Sequence, residues 1–139
     1  MTTPLYTASA ASTGDARNGH VQSTDGILDL DVRMPKELGG AGGATNPEQL
    51  FAAGYAACFH SALKLVAGRA KADATESEVV ADVSLNDNGQ GGFQLSVQLE
   101  VTIPNVDTAT AQELAEQAHQ VCPYSNATRG NVDVVLTVN

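Results

Sequence analysis

The sequence predicts an α+β fold, and three observations predict it. Alternating apolar residues mark strands that come in antiparallel runs, with helices not interleaved one by one, which argues against a doubly wound sheet. One long stretch, to about Arg69, is apolar almost all round, as a central helix buried on several sides must be. The chain has 139 residues and 42% hydrophobic content, which suits a single domain, residues 1–139, with one core. There is no Trp and aromatics are only 4%, so that core is mostly Ala, Val and Leu.

The expected order is β-β-α-β-β-α-β. The opening "LYTASAAST" is a weak strand, and "HVQSTDG" reads as a strand end and turn. "ILDLDVRM" alternates: Leu28, Leu30, Val32 and Met34 face one side, Asp29, Asp31 and Arg33 the other. The glycines of "ELGGAGGATNPE" form a loop. Asn46 then caps a helix, Pro47 suits its first position and Glu48 its first turn. "VVADVSL" and "FQLSVQLEVTI" are strands joined by the hairpin loop "NDNGQGG". A second helix runs from near Asp107 toward Val121, and "NVDVVLTVN" closes the chain as a last strand. The first helix is too apolar to keep a wet face, so its second face is expected to be covered by another subunit.

Charge and composition exclude several functions. Sixteen acidic against seven basic residues give a net charge of −9, and the four Arg and three Lys are scattered. Nucleic acid and anionic membrane both need a basic face, so neither is an expected partner. "MTTPLYTASA" has no signal-peptide pattern. Residues 49–67 come nearest to a membrane span but are interrupted by Gln49, His60 and Lys64. A cytoplasmic protein is expected, and its cysteines should be reduced.

The chain has two cysteines, Cys58 mid-helix and Cys122 in "QVCPYSNATRGN". Phe51, Tyr55, Cys58 and Ala62 share one helix face, so Cys58 reads first as core filler. Burial there would raise its pKa, and a working nucleophile would need a nearby cation. Cys122 precedes Pro123, which ends helical pairing and puts the thiol at a defined, less buried place. Spacing alone leaves open whether the two are separate packing residues or one device. Metal binding is not expected. His20, His60 and His119 stand apart as surface or packing residues, and no zinc spacing is present. The chain also lacks G-x-S-x-G and a Walker lysine.

"NPEQLFAAGYAACFHSALKLVA" and "VCPYSNATRGNVDVVLTV" resemble the organic hydroperoxide resistance (Ohr) proteins of the OsmC-like superfamily, and "YTA", "DGILDLDV" and "PKELGG" fit as well. The resemblance spans essentially the whole chain. It implies an intertwined α+β homodimer with two interface sites, and a thiol peroxidase acting on lipid and alkyl hydroperoxides. It also implies that Cys58 is the peroxidatic cysteine and Cys122 the resolving one. Arg17, in "GDARNGH", matches the family's active-site arginine, and Glu48 its glutamate partner. The reductant implied is dihydrolipoamide on a lipoylated protein, with no bound cofactor.

These assignments make physical sense. A guanidinium would stabilise a Cys58 thiolate, and Glu48 would hold it through a bidentate pair. Phe51, Tyr55, Phe59 and Tyr124 are candidates for an apolar wall favouring fatty or aromatic hydroperoxides. Glu48 and Cys58 are ten residues apart on one helix, a rise of roughly 15 Å, so the Arg17–Glu48 pair serving one Cys58 is expected to include residues of the other subunit. The loop carrying Arg17 reads as mobile. Two other readings compete with this one. The first is an OsmC-type peroxidase with a different peroxide preference, the second a non-enzymatic dimeric module with incidental cysteines.

Overall fold

The computed structural model describes residues 3–139. They form two compact units, residues 3–50 and 51–139. Together they carry the expected α+β content, with helix α1, Pro47–Ala70, beginning in the first unit and running into the second.

The first unit holds an antiparallel sheet of order β1-β2-β3, with β1 at Ala10–Thr13, β2 at His20–Ser23 and β3 at Asp29–Asp31. Two strands were expected here. "HVQS" is a whole strand rather than a strand end, and it lies in the centre. The turn after it is set by Asp25, whose Oδ1 accepts from Ser23 Oγ at 2.6 Å and from the Ile27 N–H at 3.0 Å. Only Val32 of the expected apolar side is fully covered; Leu28 and Leu30 keep 37% and 38% of their surface exposed. Ala10, Ala11 and Ser12 of β1 supply little apolar volume to cover them.

The polar side of the same sheet carries a charged cluster. His20 lies opposite Asp31 in the register, and Asp29 follows two residues along on that face. His20 Nδ1 lies 2.9 Å from Asp31 Oδ1, and Nε2 bonds Asp29 Oδ1. Two carboxylates on one ring favour the imidazolium. Asp31 first and Asp29 next raise the His20 pKa, while His20 lowers that of Asp31. The His20 contribution to stability is therefore complete below its unfolded pKa and is lost as pH rises through the folded one. The Asp31 contribution is present above its unfolded pKa and is lost as pH falls through the folded one. The clamp is intact between about pH 4 and about pH 6.5. In an NMR titration of the whole protein, His20 is expected to titrate above its ordinary value, and Asp31→Asn to bring it back down. An unshifted His20 in the wild type would refute the clamp.

In the second unit β4, Glu78–Asp87, pairs antiparallel with β5, Phe93–Thr102, in the register Glu78↔Thr102 to Asp87↔Phe93. The hairpin is as expected. Strand β6, Asp133–Val138, pairs parallel with β5, giving the order β4-β5-β6. Antiparallel pairing was expected throughout. A parallel return needs a long crossover, and helix α2, Thr108–Val121, with helix α3, Pro123–Thr128, provides it. Asp107 caps α2 through Oδ1, which accepts the Thr110 N–H at 2.7 Å. Helix α3 was not expected. Pro123 stops α2 but stands at the first position of a new helix, where a missing N–H costs nothing.

One core fills this unit. Tyr55, Phe59, Leu63 and Val66 of α1 meet Val97, Leu99 and Val101 of β5 and Leu114, Ala115 and Ala118 of α2. Contrary to the sequence reading, α1 is long and apolar enough to cross a membrane by length and composition alone. Here it is a core helix, whose interrupting polar residues bond to protein. His60 Nε2 meets Ser77 Oγ at 2.9 Å, and Lys64 Nζ donates to the Ala74 carbonyl at 2.6 Å. Within the chain, α1 buries a single stripe, Tyr55, Phe59, Ala62, Leu63, Val66 and Ala67. Leu65, off that stripe, is 46% exposed.

Candidate active site

The four expected site residues fall into two pairs, one in each unit. In the first, Arg17 Nη1 donates to Glu48 Oε1 at 2.8 Å and Nη2 to Oε2 at 3.2 Å, a bidentate pair. Glu48 is well covered, with 16% of its side chain exposed against 39% for Arg17. Asn46 caps α1 as expected, its Oδ1 accepting the Gln49 N–H at 2.8 Å. That fixes the first turn, which carries Glu48. The pairing raises the Arg17 pKa further, so the charge is permanent.

Arg17 sits in a short turn, Ala16–Asn18, that reads from sequence as mobile but is tethered. Asn18 Oδ1 accepts the Met34 N–H at 3.1 Å, and Arg33 Nη1 donates to the Gly19 carbonyl at 2.9 Å. A Cβ at Gly19 would lie 2.2 Å from the Thr13 carbonyl oxygen, so only glycine closes this turn.

In the second unit Cys122 Sγ donates to Cys58 Sγ across 3.5 Å, and both cysteines are free thiols. A disulfide needs about 2.0 Å, so closure asks for a shift of about 1.5 Å. Their burial is the reverse of the sequence reading. Cys58 is half-buried and Cys122 has no exposed surface. The Cys-Pro step makes Cys122 a joint rather than a protrusion. Its N–H bonds the Ala118 carbonyl of α2 at 2.8 Å, and its carbonyl accepts the Asn126 N–H of α3 at 2.9 Å. Helices leave on both sides of it and enclose the sulfur.

Burial holds the Cys58 thiol above its ordinary pKa, the Tyr124 backbone N–H opposes that rise, and negative charge on Cys122 would add to it. Tyr124 is the second residue of α3, where a backbone N–H has no partner inside the helix. This amide was missed from sequence. The signal available was Pro123 itself, because a helix-starting proline leaves the next N–H free to point at an anion.

The aromatic candidates divide. Phe51, Tyr55 and Tyr124 form a cluster with ring centroids 5.7 to 6.2 Å apart. Tyr55 and Phe59 are completely buried and belong to the core, while Phe51 is part-exposed and Tyr124 keeps 39% of its surface. Gly54 lets Tyr124 lie against α1: a Cβ there would stand 2.9 Å from Tyr124 Oη. Gly54→Ala should raise helix propensity by up to about 1 kcal/mol. The clash falls on the free end of a part-exposed ring, which can swing away. We expect thermal melts unchanged or slightly raised and, by NMR, a displaced Tyr124 ring. A melt lowered by more than about 2 kcal/mol would show the ring to be locked.

Behind Cys122, His119 Nδ1 lies 2.8 Å from Ser125 Oγ, and Tyr55 Oη lies 2.8 Å from Ser125 Oγ and 3.1 Å from Thr128 Oγ1. His119 read from sequence as a surface or packing residue. Among the described residues, no group of three His, Cys, Asp or Glu side chains is placed to hold a metal.

A paired-thiol site in an α+β chain can be compared with known proteins. The model of the family described as OsmC-like protein matches residues 40–137. An organic hydroperoxide resistance protein of Xanthomonas axonopodis pv. citri is 55% identical over 137 residues, 96% of this chain and 94% of that one. The chain belongs to the Ohr branch of the OsmC-like family. Another Ohr protein, OhrB of Bacillus subtilis, is 50% identical over 95% of this chain and 96% of its own. The Ohr fold is matched in full. A crystal structure from Legionella pneumophila, described as an organic hydroperoxide resistance protein OsmC, superposes with a TM-score of 0.94 at 53% identity, covering 99% of each chain.

Proposed function

We propose that this protein is a thiol peroxidase that reduces organic hydroperoxides to alcohols in the cytoplasm. The observation that carries this reading is the 3.5 Å approach of the two free sulfurs. The names of its Ohr relatives, organic hydroperoxide resistance proteins, agree with it.

In the proposed cycle the Cys58 thiolate attacks the terminal oxygen of the hydroperoxide. The O–O bond breaks, the alcohol leaves with a proton, and Cys58 becomes a sulfenic acid. The Cys122 sulfur then attacks the Cys58 sulfur and expels water, forming the disulfide. A dithiol reopens it by two exchange steps and is itself oxidised to a disulfide. Dihydrolipoamide on a lipoylated protein is the dithiol we assign, as a co-substrate rather than a bound cofactor.

The half-buried sulfur suits the attacking role and the enclosed one the resolving role, since the enclosed sulfur is shielded from peroxide. Cys58 still needs a cation to offset its burial, and the Arg17–Glu48 pair is the one we assign, contributed by the second subunit of a homodimer. An exposed apolar surface suits such a dimer: Leu5, Tyr6 and Ile27 are 104%, 81% and 87% exposed. Phe51 and Tyr124 are the wall residues that can meet an apolar hydroperoxide. Steady-state consumption of an alkyl hydroperoxide with dihydrolipoamide tests the reading. Turnover is expected in the wild type and none in Cys58→Ser. A Cys58→Ser variant that keeps its activity would defeat it.

A further inference from the structure

The hydrogen bonds behind Cys122 have a direction, and it follows from counting protons. Thr128 Oγ1 lies 3.2 Å from the Ser125 carbonyl oxygen, which can only accept, so the Thr128 proton points there. Tyr55 Oη must then donate to Thr128 Oγ1. With its one proton used, Tyr55 accepts from Ser125 Oγ. With its proton used in turn, Ser125 accepts from His119 Nδ1. The reverse order would set the Thr128 oxygen lone pair against the Ser125 carbonyl. The chain thus runs His119 Nδ1–H to Ser125 to Tyr55 to Thr128 and ends on the Ser125 carbonyl.

These groups tie three helices together: His119 from α2, Tyr55 from α1, Ser125 and Thr128 from α3. Ser125 and Tyr55 have no exposed surface and Thr128 has 3%, so an unmade bond here would not be replaced by water. Between His119 and Ser125 stand Cys122, whose thiol meets Cys58, and Tyr124, whose amide lowers the Cys58 pKa. Around the imidazole, Arg129 bonds the His119 carbonyl, and the Phe59 ring lies 6.5 Å away. Burial first and the Arg129 charge second lower the His119 pKa, so at neutral pH the ring is neutral and its tautomer is a real choice.

We propose that His119, as the Nδ1–H tautomer, heads a directed hydrogen-bond chain through Ser125, Tyr55 and Thr128 that positions the Cys122 sulfur against Cys58 and fixes the first turn of α3, which carries Tyr124. These four are positioning residues for the thiol cycle assigned above, and the inference rests on that reading only for its purpose. The thiol geometry can be measured without any peroxide.

The experiment uses the whole protein. Nitrogen chemical shifts of the His119 ring in the wild type are expected to show a proton on Nδ1, and a proton on Nε2 alone would overturn the proposal. Variants then test positioning through two readouts: the pH at which Cys58 reacts with iodoacetamide, and the rate of Cys58–Cys122 disulfide closure with diamide. Tyr55→Phe and His119→Leu are expected to move the alkylation profile to higher pH and to slow closure about tenfold. Asn places an amide N–H where Nδ1 stood, so His119→Asn should stay within about twofold of wild type on both readouts. The proposal is overturned if Tyr55→Phe and His119→Leu leave both readouts unchanged, or if His119→Asn behaves like His119→Leu. A wild-type protein that closes its Cys58–Cys122 disulfide with diamide, responds to the variants as expected and yet consumes no alkyl hydroperoxide would count against the proposed function and not against the chain.

Discussion

Replacing Cys58 with serine is expected to lower hydroperoxide turnover by at least about a thousandfold, while Cys122→Ser completes one turnover and stalls. The two differ because the proposed cycle gives the cysteines different work, in keeping with their different depths. Cys58 presents a half-buried sulfur at the middle of α1, so it is the one a hydroperoxide can reach. A serine there keeps the shape but is a far weaker nucleophile toward a peroxide oxygen. Cys122 is fully enclosed at the joint between α2 and α3, and in the proposed cycle its sulfur meets only the product of the first step. In Cys122→Ser the first oxidation proceeds, the hydroxyl cannot condense with the sulfenic acid, and dihydrolipoamide meets no disulfide. Mixing each variant with one equivalent of alkyl hydroperoxide in a stopped-flow instrument and trapping with dimedone separates the steps. The expected result is a stoichiometric burst and a dimedone adduct on Cys58 in Cys122→Ser, and neither in Cys58→Ser. Continued turnover by Cys122→Ser under excess hydroperoxide and dihydrolipoamide would show that the reductant's thiol, and not Cys122, resolves the sulfenic acid, since the chain has no third cysteine.

How much of this site the sequence shows depends on whether the determinant is local. Asn46, Pro47 and Glu48 announce the start of α1 because capping is a matter of neighbours, and α1 begins where they place it. The alternation in 78–87 and 93–102 yields β4 and β5 because period two needs no distant partner to be visible. The direction of β6 is not local. Val132, Val134, Leu136 and Val138 alternate equally well in either orientation, and only the α2–α3 crossover settles it as parallel to β5. Helix α3 was hidden because Pro123 signals both an end and a beginning, and the sequence shows only the end. The reversed burial of the cysteines has the same origin: Cys122 is enclosed by the helices on both sides of it, one of which was not foreseen. The Tyr124 amide and the His119–Ser125–Tyr55–Thr128 chain depend on contacts across as many as 73 residues, and a backbone N–H has no letter in the sequence.

A heterodimer that combines Arg17→Ala in one subunit with Cys58→Ser in the other is expected to recover about half of the wild-type dimer's activity. Neither parent homodimer should come near this. Cys58→Ser has no nucleophile. Arg17→Ala leaves Cys58 with burial raising its pKa and the Tyr124 amide as the opposing influence shown within the chain, which should slow the peroxide step by at least about tenfold at neutral pH. The logic rests on the ten-residue spacing of Glu48 and Cys58. Arg17 is committed to Glu48 by a bidentate pair, so the guanidinium goes where Glu48 goes. Along one helix that is about 15 Å from Cys58, beyond the reach of a glutamate side chain. If the partner supplies the pair, the heterodimer has one site with both lesions and one site with none. If each chain supplies its own, every Cys58 in the heterodimer lacks its arginine, and activity cannot exceed about half that of the Arg17→Ala homodimer. Carrying two different affinity tags, the heterodimer can be isolated and assayed per intact Cys58. Activity near that of a wild-type site requires an arginine crossing the interface, and the low value would place Arg17 beside the cysteine of its own chain.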